Sequence, residues 1–318
     1  MKWRVLVTAP YFLPVLDKYR PLFEKEEIEL VVAPVRERLE EAELLPLVKE
    51  IDGVICGDDR FTPRVLSEAK RLKVIAKWGT GIDSIDKDTA EKLGIRVCNT
   101  LNAFTDPVGD TVLGYILMFA RQLHLLDRDI RERRWEKRRG VSLKEMTLGV
   151  IGVGNTGRAV LKRAAAFGMR LYGNDIVEIS ESFLSQYSVT MVSKEELLRV
   201  SDFVSINCTL NPTSFHLMGN NEFALMKPSA YLINTARGPI VNEVALIEVL
   251  RNGKIAGAAL DVFEREPLPD DSPLRLFDNV FLAPHNANSS PSAWEAVHEN
   301  TVRMLISELK NHQRRPNP

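Results

Sequence analysis

The sequence predicts an α/β protein built from two parallel-sheet units. Short apolar runs alternate with polar-amphipathic segments over the first hundred residues, and a second series of the same kind starts near residue 147. This alternation is typical of a parallel sheet with helices on its faces. The chain has 318 residues, which is too long for one ordinary core and suggests about two domains.

The first series contains five candidate buried strands, at residues 3–8, 28–32, 52–56, 72–77 and 95–98. A helix is expected to begin at Thr62-Pro63, because threonine can cap a helix and proline suits its first position. A long helix is predicted over 107–131. The basic segment 131–140 contains interleaved glutamates and is predicted to be a solvated surface turn with Trp135 packed against the body.

The second series contains seven candidate strands, at residues 147–152, 169–175, 189–192, 202–207, 230–234, 255–262 and 280–284. Ser193 opens a segment with the spacing of a capping box, which predicts a helix start there. The tail from Ser290 to about Asn311 is predicted to be one amphipathic helix.

Composition and charge exclude several classes of protein. The net charge of −1 gives no support for a nucleic-acid or anionic-membrane partner. The cleanest apolar run, at 112–120, is far shorter than the roughly 20 residues of a membrane span. The three cysteines are widely spaced and no export signal is recognisable, so a cytoplasmic location is expected. No residue cluster has metal-ligand spacing, and no metal is predicted.

A glycine pattern opens the second unit. Gly152, Gly154 and Gly157 fit G-x-G-x-x-G between a predicted strand and a predicted helix that ends at Gly168. The first glycine permits a tight turn, the second lets a pyrophosphate approach the backbone, and the third lets helix and strand pack closely. The pattern is weak alone, but in this context it predicts a dinucleotide site.

An acidic residue follows the glycine pattern at the expected distance. Asp175 lies eighteen residues after Gly157, at the end of the next predicted strand. A carboxylate there accepts hydrogen bonds from the adenosine ribose and repels a 2′-phosphate. Residues 176–179 contain no Lys or Arg that would bind such a phosphate, so NAD(H) is expected to be preferred over NADP(H).

An arginine follows a buried strand directly. The stretch AYLINTARGP, residues 230–239, places Arg237 after an apolar run and before Gly238-Pro239. A guanidinium is rarely left at the end of a hydrophobic strand without a partner. Its planar, permanently charged fork matches a carboxylate bidentately.

Five segments resemble the D-isomer-specific 2-hydroxyacid dehydrogenase family, which includes phosphoglycerate, glyoxylate and D-lactate dehydrogenases. They occur in the family's order and are KWGTGIDSID (77–86), GVGNTG (152–157), INTARG (233–238), ALDVFEREP (259–267) and APH (283–285). The resemblance implies two Rossmann-like or flavodoxin-like domains with a cleft between them. An NAD-binding domain, 102–289, would be inserted into a substrate domain formed by 1–101 plus 290–318.

The same resemblance implies an NAD-dependent oxidoreductase that interconverts a D-2-hydroxy acid and its 2-oxoacid, with Arg237, Glu266 and His285 as the catalytic set. Arg237 would anchor the substrate carboxylate. An imidazole titrates near neutrality, so His285 can give a proton to a carbonyl oxygen or remove one from a hydroxyl. Glu266 would hold the ring and favour its protonated form.

Further site residues are implied by the resemblance alone. Backbone amides of Gly79, Thr80 and Gly81 would donate to the substrate carboxylate. The residues expected to bind the cofactor, beside the three glycines, Asp175, Arg237 and His285, are Asn155, Thr156, Cys208, Thr209, Thr235, Ala236, Asp261 and Asn288. Among these, Asp261 would orient the nicotinamide carboxamide, and Asn288 stands where the family usually has a glycine.

Several departures from the family concern the substrate tail. Cys56 stands where phosphoglycerate dehydrogenases commonly carry an arginine, and Asp58 and Asp59 follow it. If the two carboxylates face the cleft, they would repel a phosphate and favour a hydroxyl-rich or cationic tail; alternatively they cap a turn and face water. Trp78 and Trp294 either narrow the pocket or are core or interface residues.

Two other questions stay open at this point. A dinucleotide-sensing binding protein, like the corepressors that share this fold, is the alternative to an enzyme. Formate dehydrogenases have a glutamine where this chain has Glu266, which argues against them. The family usually dimerises through its nucleotide domain, so a homodimer is expected, with the helix at 107–131 as a candidate interface.

Overall fold

A computed structural model describes residues 3–314 of the chain. The chain forms two compact units. One contains the chain up to Ala103 together with the segment from Ser290 onward, and the other is Phe104–Ser289. Each unit contains one parallel sheet, so the prediction of two parallel-sheet α/β units is confirmed.

The strands lie close to the predicted segments. The described residues form twelve strands: β1 Trp3–Val7, β2 Ile28–Val32, β3 Gly53–Cys56, β4 Val74–Lys77, β5 Arg96–Asn99, β6 Thr147–Ile151, β7 Arg170–Asn174, β8 Val189–Met191, β9 Phe203–Ile206, β10 Tyr231–Asn234, β11 Gly257–Leu260 and β12 Val280–Leu282. Most of the central strands are buried along their whole length, as expected of strands covered on both faces.

The α-helices of the described residues separate most of these strands. They are α1 Leu16–Lys25, α2 Glu41–Leu47, α3 Pro63–Glu68, α4 Lys87–Lys92, α5 Thr105–Arg121, α6 Leu123–Arg131, α7 Asn155–Ala166, α8 Glu181–Tyr187, α9 Lys194–Val200, α10 Asn220–Phe223, α11 Glu243–Arg251 and α12 Pro291–Arg314. Two predicted caps are confirmed, since Thr62 Oγ1 accepts from Val65 N at 3.3 Å and Ser193 Oγ accepts from Glu196 N at 3.1 Å.

Both sheets reverse their strand order at one point. The five-stranded sheet has the order β2-β1-β3-β4-β5, and the seven-stranded sheet has the order β12-β11-β10-β9-β6-β7-β8. The direction of winding therefore changes between β1 and β3 in one unit and between β6 and β9 in the other. Ligands of open α/β sheets bind beyond the carboxyl ends of the strands at such points.

The prediction of one long helix over 107–131 is wrong, because the helix breaks at Gln122. This residue has a left-handed conformation with φ of 51°, and it separates α5 from α6. The returning chain binds the break: Val141 N donates to Ala120 O at 2.9 Å, and Gln122 Nε2 donates to Arg139 O at 3.0 Å. The end of α5 is thus fixed by a segment almost twenty residues further along.

The prediction that Trp135 packs against the body is also wrong, because its side chain is 90% exposed. Asp129, a buried carboxylate on α6, determines the course of this segment. It accepts hydrogen bonds from Arg134 and Arg138, and these bonds hold its pKa well below the usual range. The two arginines anchor the segment to the body, and Trp135 between them points outward.

The cysteines and the helices add two further observations. Cys56 is buried, Cys98 and Cys208 are partly buried, and none of the three forms a disulfide. The expected cytoplasmic location stays a prediction. Over residues 3–314, no helix is both long enough and apolar enough to cross a membrane.

Candidate active site

The glycine turn between β6 and α7 has the geometry of a phosphate-binding loop. Gly152 has φ of 92°, and a Cβ on it would lie 2.4 Å from Cys208 N. A Cβ on Gly157 would lie 2.0 Å from Gly152 O, so the helix starts too close to the turn for any side chain there. A Cβ on Gly154 would meet no atom within 4 Å. The turn therefore offers an open side at Gly154, beside the start of α7, and the backbone amides at the start of a helix favour a phosphate.

Asp175 fixes the turn from the end of β7. Its Oδ2 accepts from Val153 N at 2.6 Å and its Oδ1 accepts from Val177 N at 3.1 Å. Arg158 supports the same turn: its Nε donates to Val153 O at 3.1 Å, and its guanidinium lies 5.2 Å from the centre of the Phe183 ring. The sequence analysis missed Arg158, and its position directly after the third glycine was the available signal.

Two buried polar atoms near the turn have no hydrogen-bond partner among the described residues. They are Nδ2 of Asn207, after β9, and Oγ1 of Thr235, after β10. Buried polar groups are nearly always paired, so these two atoms suit a polar ligand at the same sheet edge. Together with the open side at Gly154, they fit a dinucleotide.

The other expected cofactor residues surround this edge. Asn155 and Thr156 form the first turn of α7, and Cys208 and Thr209 follow Asn207 after β9. Burial raises the pKa of the Cys208 thiol to about 11, so the group stays a neutral thiol at physiological pH. A neutral, partly buried thiol is better suited to contact with the adenine base of a cofactor than to act as a nucleophile.

The loop that carries Arg237 is held by Asn234, the last residue of β10. Asn234 Nδ2 donates to Arg237 O at 2.9 Å, and its Oδ1 accepts from Ala236 N at 3.1 Å. The loop also packs tightly on a second segment: a Cβ on Gly238 would lie 1.9 Å from the carbonyl carbon and oxygen of Phe263. Only glycine permits this approach, which sets Arg237 beside the segment that leads to Glu266.

Glu266 and His285 form a direct pair. Glu266 Oε2 lies 3.1 Å from His285 Nδ1, and Glu266 Oε1 accepts from Phe263 N at 2.9 Å. Both side chains are mostly buried. The bond to Phe263 N fixes the carboxylate, and a carboxylate at Nδ1 places the hydrogen on that nitrogen. The other ring nitrogen, Nε2, then carries no hydrogen in the neutral ring.

Asp261 holds the loop on which His285 lies. Its two carboxylate oxygens accept from Asn286 N and Ala287 N, each at 2.8 Å, and His285 N donates to Asp261 O at 2.8 Å. Burial raises the pKa of Asp261, while the two amide hydrogen bonds favour its charged form. The expected contact of Asp261 with the nicotinamide stays a prediction, as does that of the partly buried Asn288.

The loop Gly79–Gly81, which we call the substrate loop because it is expected to bind the substrate carboxylate, lies directly after β4 in the unit that contains the N-terminus. Gly79 has φ of 125°, a conformation that favours glycine. Thr100 N donates to Gly79 O at 2.9 Å, and Thr80 Oγ1 donates to Thr100 O at 2.8 Å. These bonds to the segment after β5 fix the loop before any ligand binds.

The two acidic residues after β3 do not act as a pair. Asp59 is fully buried and accepts from Thr8 Oγ1 and Leu39 N, each at 2.6 Å. It therefore faces neither a substrate nor water, and both expectations for it are wrong. Asp58 lies 3.2 Å from Nζ of Lys77, a buried lysine at the end of β4.

Comparisons with known proteins agree with this geometry. Residues 113–287 match the NAD-binding domain of the D-isomer-specific 2-hydroxyacid dehydrogenases. The chain is 39% identical over 275 residues to a glyoxylate reductase of Thermofilum pendens, covering 84% of this chain and 81% of that protein. It is 35% identical over 315 residues to a hydroxypyruvate reductase of Thermotoga maritima, covering 97% of this chain and 99% of that protein.

A solved structure gives the same assignment. The D-lactate dehydrogenase of Aquifex aeolicus, crystallised with NAD and lactic acid, superposes with a TM-score of 0.85 at 26% identity. The match covers 97% of this chain and 96% of that one. The chain belongs to the D-isomer-specific 2-hydroxyacid dehydrogenases, a family of NAD-dependent enzymes.

Proposed function

We propose that the chain interconverts a D-2-hydroxy acid and its 2-oxoacid, with Arg237 as the carboxylate anchor and the His285–Glu266 pair as the acid/base. The observation that carries this proposal is the contact of 3.1 Å between Glu266 Oε2 and His285 Nδ1, with Glu266 itself fixed by a backbone amide. This arrangement orients an imidazole and stabilises the positive charge that it carries as a proton donor.

The proposed chemistry assigns one task to each group. Arg237 binds the carboxylate bidentately, and the amides of Gly79, Thr80 and Gly81 add donors to it. His285 Nε2 gives its proton to the carbonyl oxygen during reduction and takes it back during oxidation. NADH supplies the hydride to the substrate α-carbon when it is bound. Glu266 stabilises the imidazolium and does not itself transfer a proton.

We further propose that NADH is preferred over NADPH because of Asp175. This carboxylate is only partly buried and lies at the end of β7, beside the glycine turn. A ribose 2′-hydroxyl can donate to it, whereas a 2′-phosphate would meet its negative charge. The exposed residues Ile176, Val177 and Glu178 that follow it offer no compensating cation.

We also propose that the protein is a homodimer that uses the outer surface of α6 and the segment after it. Three large apolar side chains are exposed there: Leu123 by 53%, Ile130 by 55% and Trp135 by 90%. Large exposed apolar residues grouped on one surface are typical of an interface between proteins. The buried pairing of Asp129 with two arginines keeps the surface in one conformation.

The role of His285 is tested by His285→Asn, because asparagine tolerates the left-handed conformation of φ 52° at this position. Loss of the proton donor should lower kcat for 2-oxoacid reduction by about 10²- to 10⁴-fold with little change in KM. The matched control is His216→Asn, because His216 also has a left-handed φ, of 50°, and also pairs with a glutamate. Unchanged kcat in His285→Asn would refute the role.

Absence of NADH oxidation by the wild type with every 2-oxoacid would favour a dinucleotide-sensing protein.

The role of Arg237 is tested by Arg237→Lys, which keeps the positive charge and removes the fork. Because lysine cannot bind a carboxylate bidentately, KM for the 2-oxoacid should rise by about tenfold or more, and kcat should also fall. Arg163→Lys, in a surface pair with Asp106 on the same unit, is the control and should leave KM unchanged. An Arg237→Lys enzyme with the KM of the wild type would show that the carboxylate binds elsewhere.

Cofactor preference is tested by Asp175→Asn, which removes the charge and keeps the shape. The ratio of kcat/KM for NADH to that for NADPH should fall by about tenfold, because the repulsion of the 2′-phosphate is lost. Glu178→Gln removes an exposed negative charge three residues away and should leave the ratio unchanged. Equal use of both cofactors by the wild type would contradict the proposed preference.

The homodimer is tested by light scattering after size-exclusion chromatography. The wild type should have twice the mass of one chain, and Ile130→Glu or Trp135→Glu should shift it toward the monomer, because burying a charge in an apolar interface is unfavourable. Leu276→Glu changes another exposed apolar residue, 85% exposed, and should stay dimeric. A monomeric wild type at the concentrations of the assay would refute the proposal.

A further inference from the structure

Three aromatic rings, which we call the aromatic cluster, pack together in the unit that carries the substrate loop: Tyr11, Trp78 and Trp294. The centres of the Tyr11 and Trp78 rings are 5.4 Å apart, those of Tyr11 and Trp294 are 5.1 Å apart, and those of Trp78 and Trp294 are 5.7 Å apart. Tyr11 follows β1 and Trp294 lies in the first turn of α12. Trp78 directly precedes Gly79. The cluster thus lies in the same unit as the substrate loop and adjoins it along the chain.

The cluster is fixed in place by a buried histidine. Trp78 Nε1 donates to His298 Nδ1 at 2.9 Å, and each of these two residues is only 4% exposed. The centre of the Phe12 ring lies 5.7 Å from the centre of the His298 ring. Packing and this hydrogen bond therefore hold the Trp78 ring, which directly precedes the loop, in one position.

Trp294 contributes a donor as well as a ring. Its Nε1 is buried and has no acceptor within residues 3–314. A buried N–H without an acceptor is unfavourable, and an oxygen atom of a ligand would relieve the penalty. This unsatisfied donor is independent of the ring packing and indicates that a small polar group belongs beside the cluster.

The cation nearest to the cluster in sequence is already compensated. Lys77, which is 3% exposed, lies 3.2 Å from Asp58 Oδ1, and its Nζ donates to Trp78 O at 3.1 Å. A phosphate that approached Lys77 would also meet the Asp58 carboxylate, so the pair gives no net attraction for a doubly charged group.

We propose, resting on the function proposed above, that the aromatic cluster and the Lys77–Asp58 pair limit the substrate tail to a short, uncharged, hydroxyl-bearing group. When the substrate carboxylate is bound at Gly79–Gly81, the substrate atoms one or two bonds beyond C2 reach the aromatic cluster. The rings leave no room for a bulky side chain, the paired lysine does not attract a phosphate, and Trp294 Nε1 donates to the tail hydroxyl. The substrate class is a three-carbon 2-oxoacid with a 3-hydroxyl.

The size and donor functions of Trp294 are tested with NADH and four 2-oxoacids: glyoxylate, hydroxypyruvate, phenylpyruvate and 3-phosphohydroxypyruvate. The wild type should have its highest kcat/KM with hydroxypyruvate, about 100-fold above phenylpyruvate. Trp294→Phe keeps a ring and loses the N–H. Its kcat/KM for hydroxypyruvate should therefore fall about tenfold, while its kcat/KM for glyoxylate should stay unchanged. Trp294→Leu should raise kcat/KM for phenylpyruvate about tenfold, because it opens space.

The charge function is tested by Asp58→Asn, which leaves Lys77 without its carboxylate. This variant should raise kcat/KM for 3-phosphohydroxypyruvate about tenfold relative to that for hydroxypyruvate. Trp3→Phe, in the same unit at the start of β1, is the control and should leave all ratios unchanged. Melting temperatures of all variants report whether each has folded, and the ratios between substrates cancel any loss of active protein.

Two results would overturn the inference and leave the proposed function standing. One is a wild type that reduces phenylpyruvate or 3-phosphohydroxypyruvate as efficiently as hydroxypyruvate. The other is unchanged substrate ratios in folded Trp294→Phe, Trp294→Leu and Asp58→Asn. If the wild type oxidises NADH with none of the four acids, the proposed function fails, and the inference that rests on it fails with it.

Discussion

The buried carboxylate of Asp261 is the constraint on which the geometry of the candidate active site depends. The carboxylate accepts hydrogen bonds from the amides of Asn286 and Ala287, and the backbone carbonyl of Asp261 accepts one from the amide of His285. His285 has a left-handed φ of 52°, which is unfavourable for a residue with a Cβ and persists only where the surroundings enforce it. Without these bonds the His285 ring would not be held in contact with Glu266. The bonds of Asp261 therefore hold the loop on which His285 lies.

Both units use the carboxyl ends of parallel strands, but they use them differently. In the unit that holds the glycine turn, the segments after β9 and β10 leave buried polar atoms without partners, and Gly154 leaves open space. In the other unit, the charged side chains at the ends of β3 and β4 are paired within the fold. Lys77 forms an ion pair with Asp58, and Asp59 accepts hydrogen bonds from Thr8 and Leu39. The segments at the first edge therefore have polar groups left for a ligand, whereas the charged side chains after β3 and β4 are paired within the fold. The topology predicts where ligands bind, and the hydrogen bonding of the polar groups indicates which edge has donors and acceptors left over.

Much of the fold was predictable because its signals are local. Buried parallel strands are apolar runs, and a cap such as Thr62 is visible within four residues. The break at Gln122 was not predictable, since no glycine or proline marks it and the bond that fixes it joins Ala120 to Val141. The same limit applies to the site. Residue types suggested the chemistry, whereas the bonds of Asp261 to the histidine loop arise only when distant segments meet.

A histidine–glutamate contact is not by itself a catalytic feature, and this chain contains the comparison. His216 lies 2.9 Å from Glu264, a distance similar to that between His285 and Glu266. On its other side, His216 Nδ1 lies 3.4 Å from Asn242 Nδ2, which can only donate, so the ring hydrogen is placed on Nε2 toward Glu264. In His285 the glutamate lies at Nδ1, so the opposite tautomer, with its hydrogen on Nδ1, is favoured. The two histidine–glutamate pairs therefore differ in the tautomer that each glutamate favours, and the proposed function assigns proton transfer to Nε2 of His285 alone.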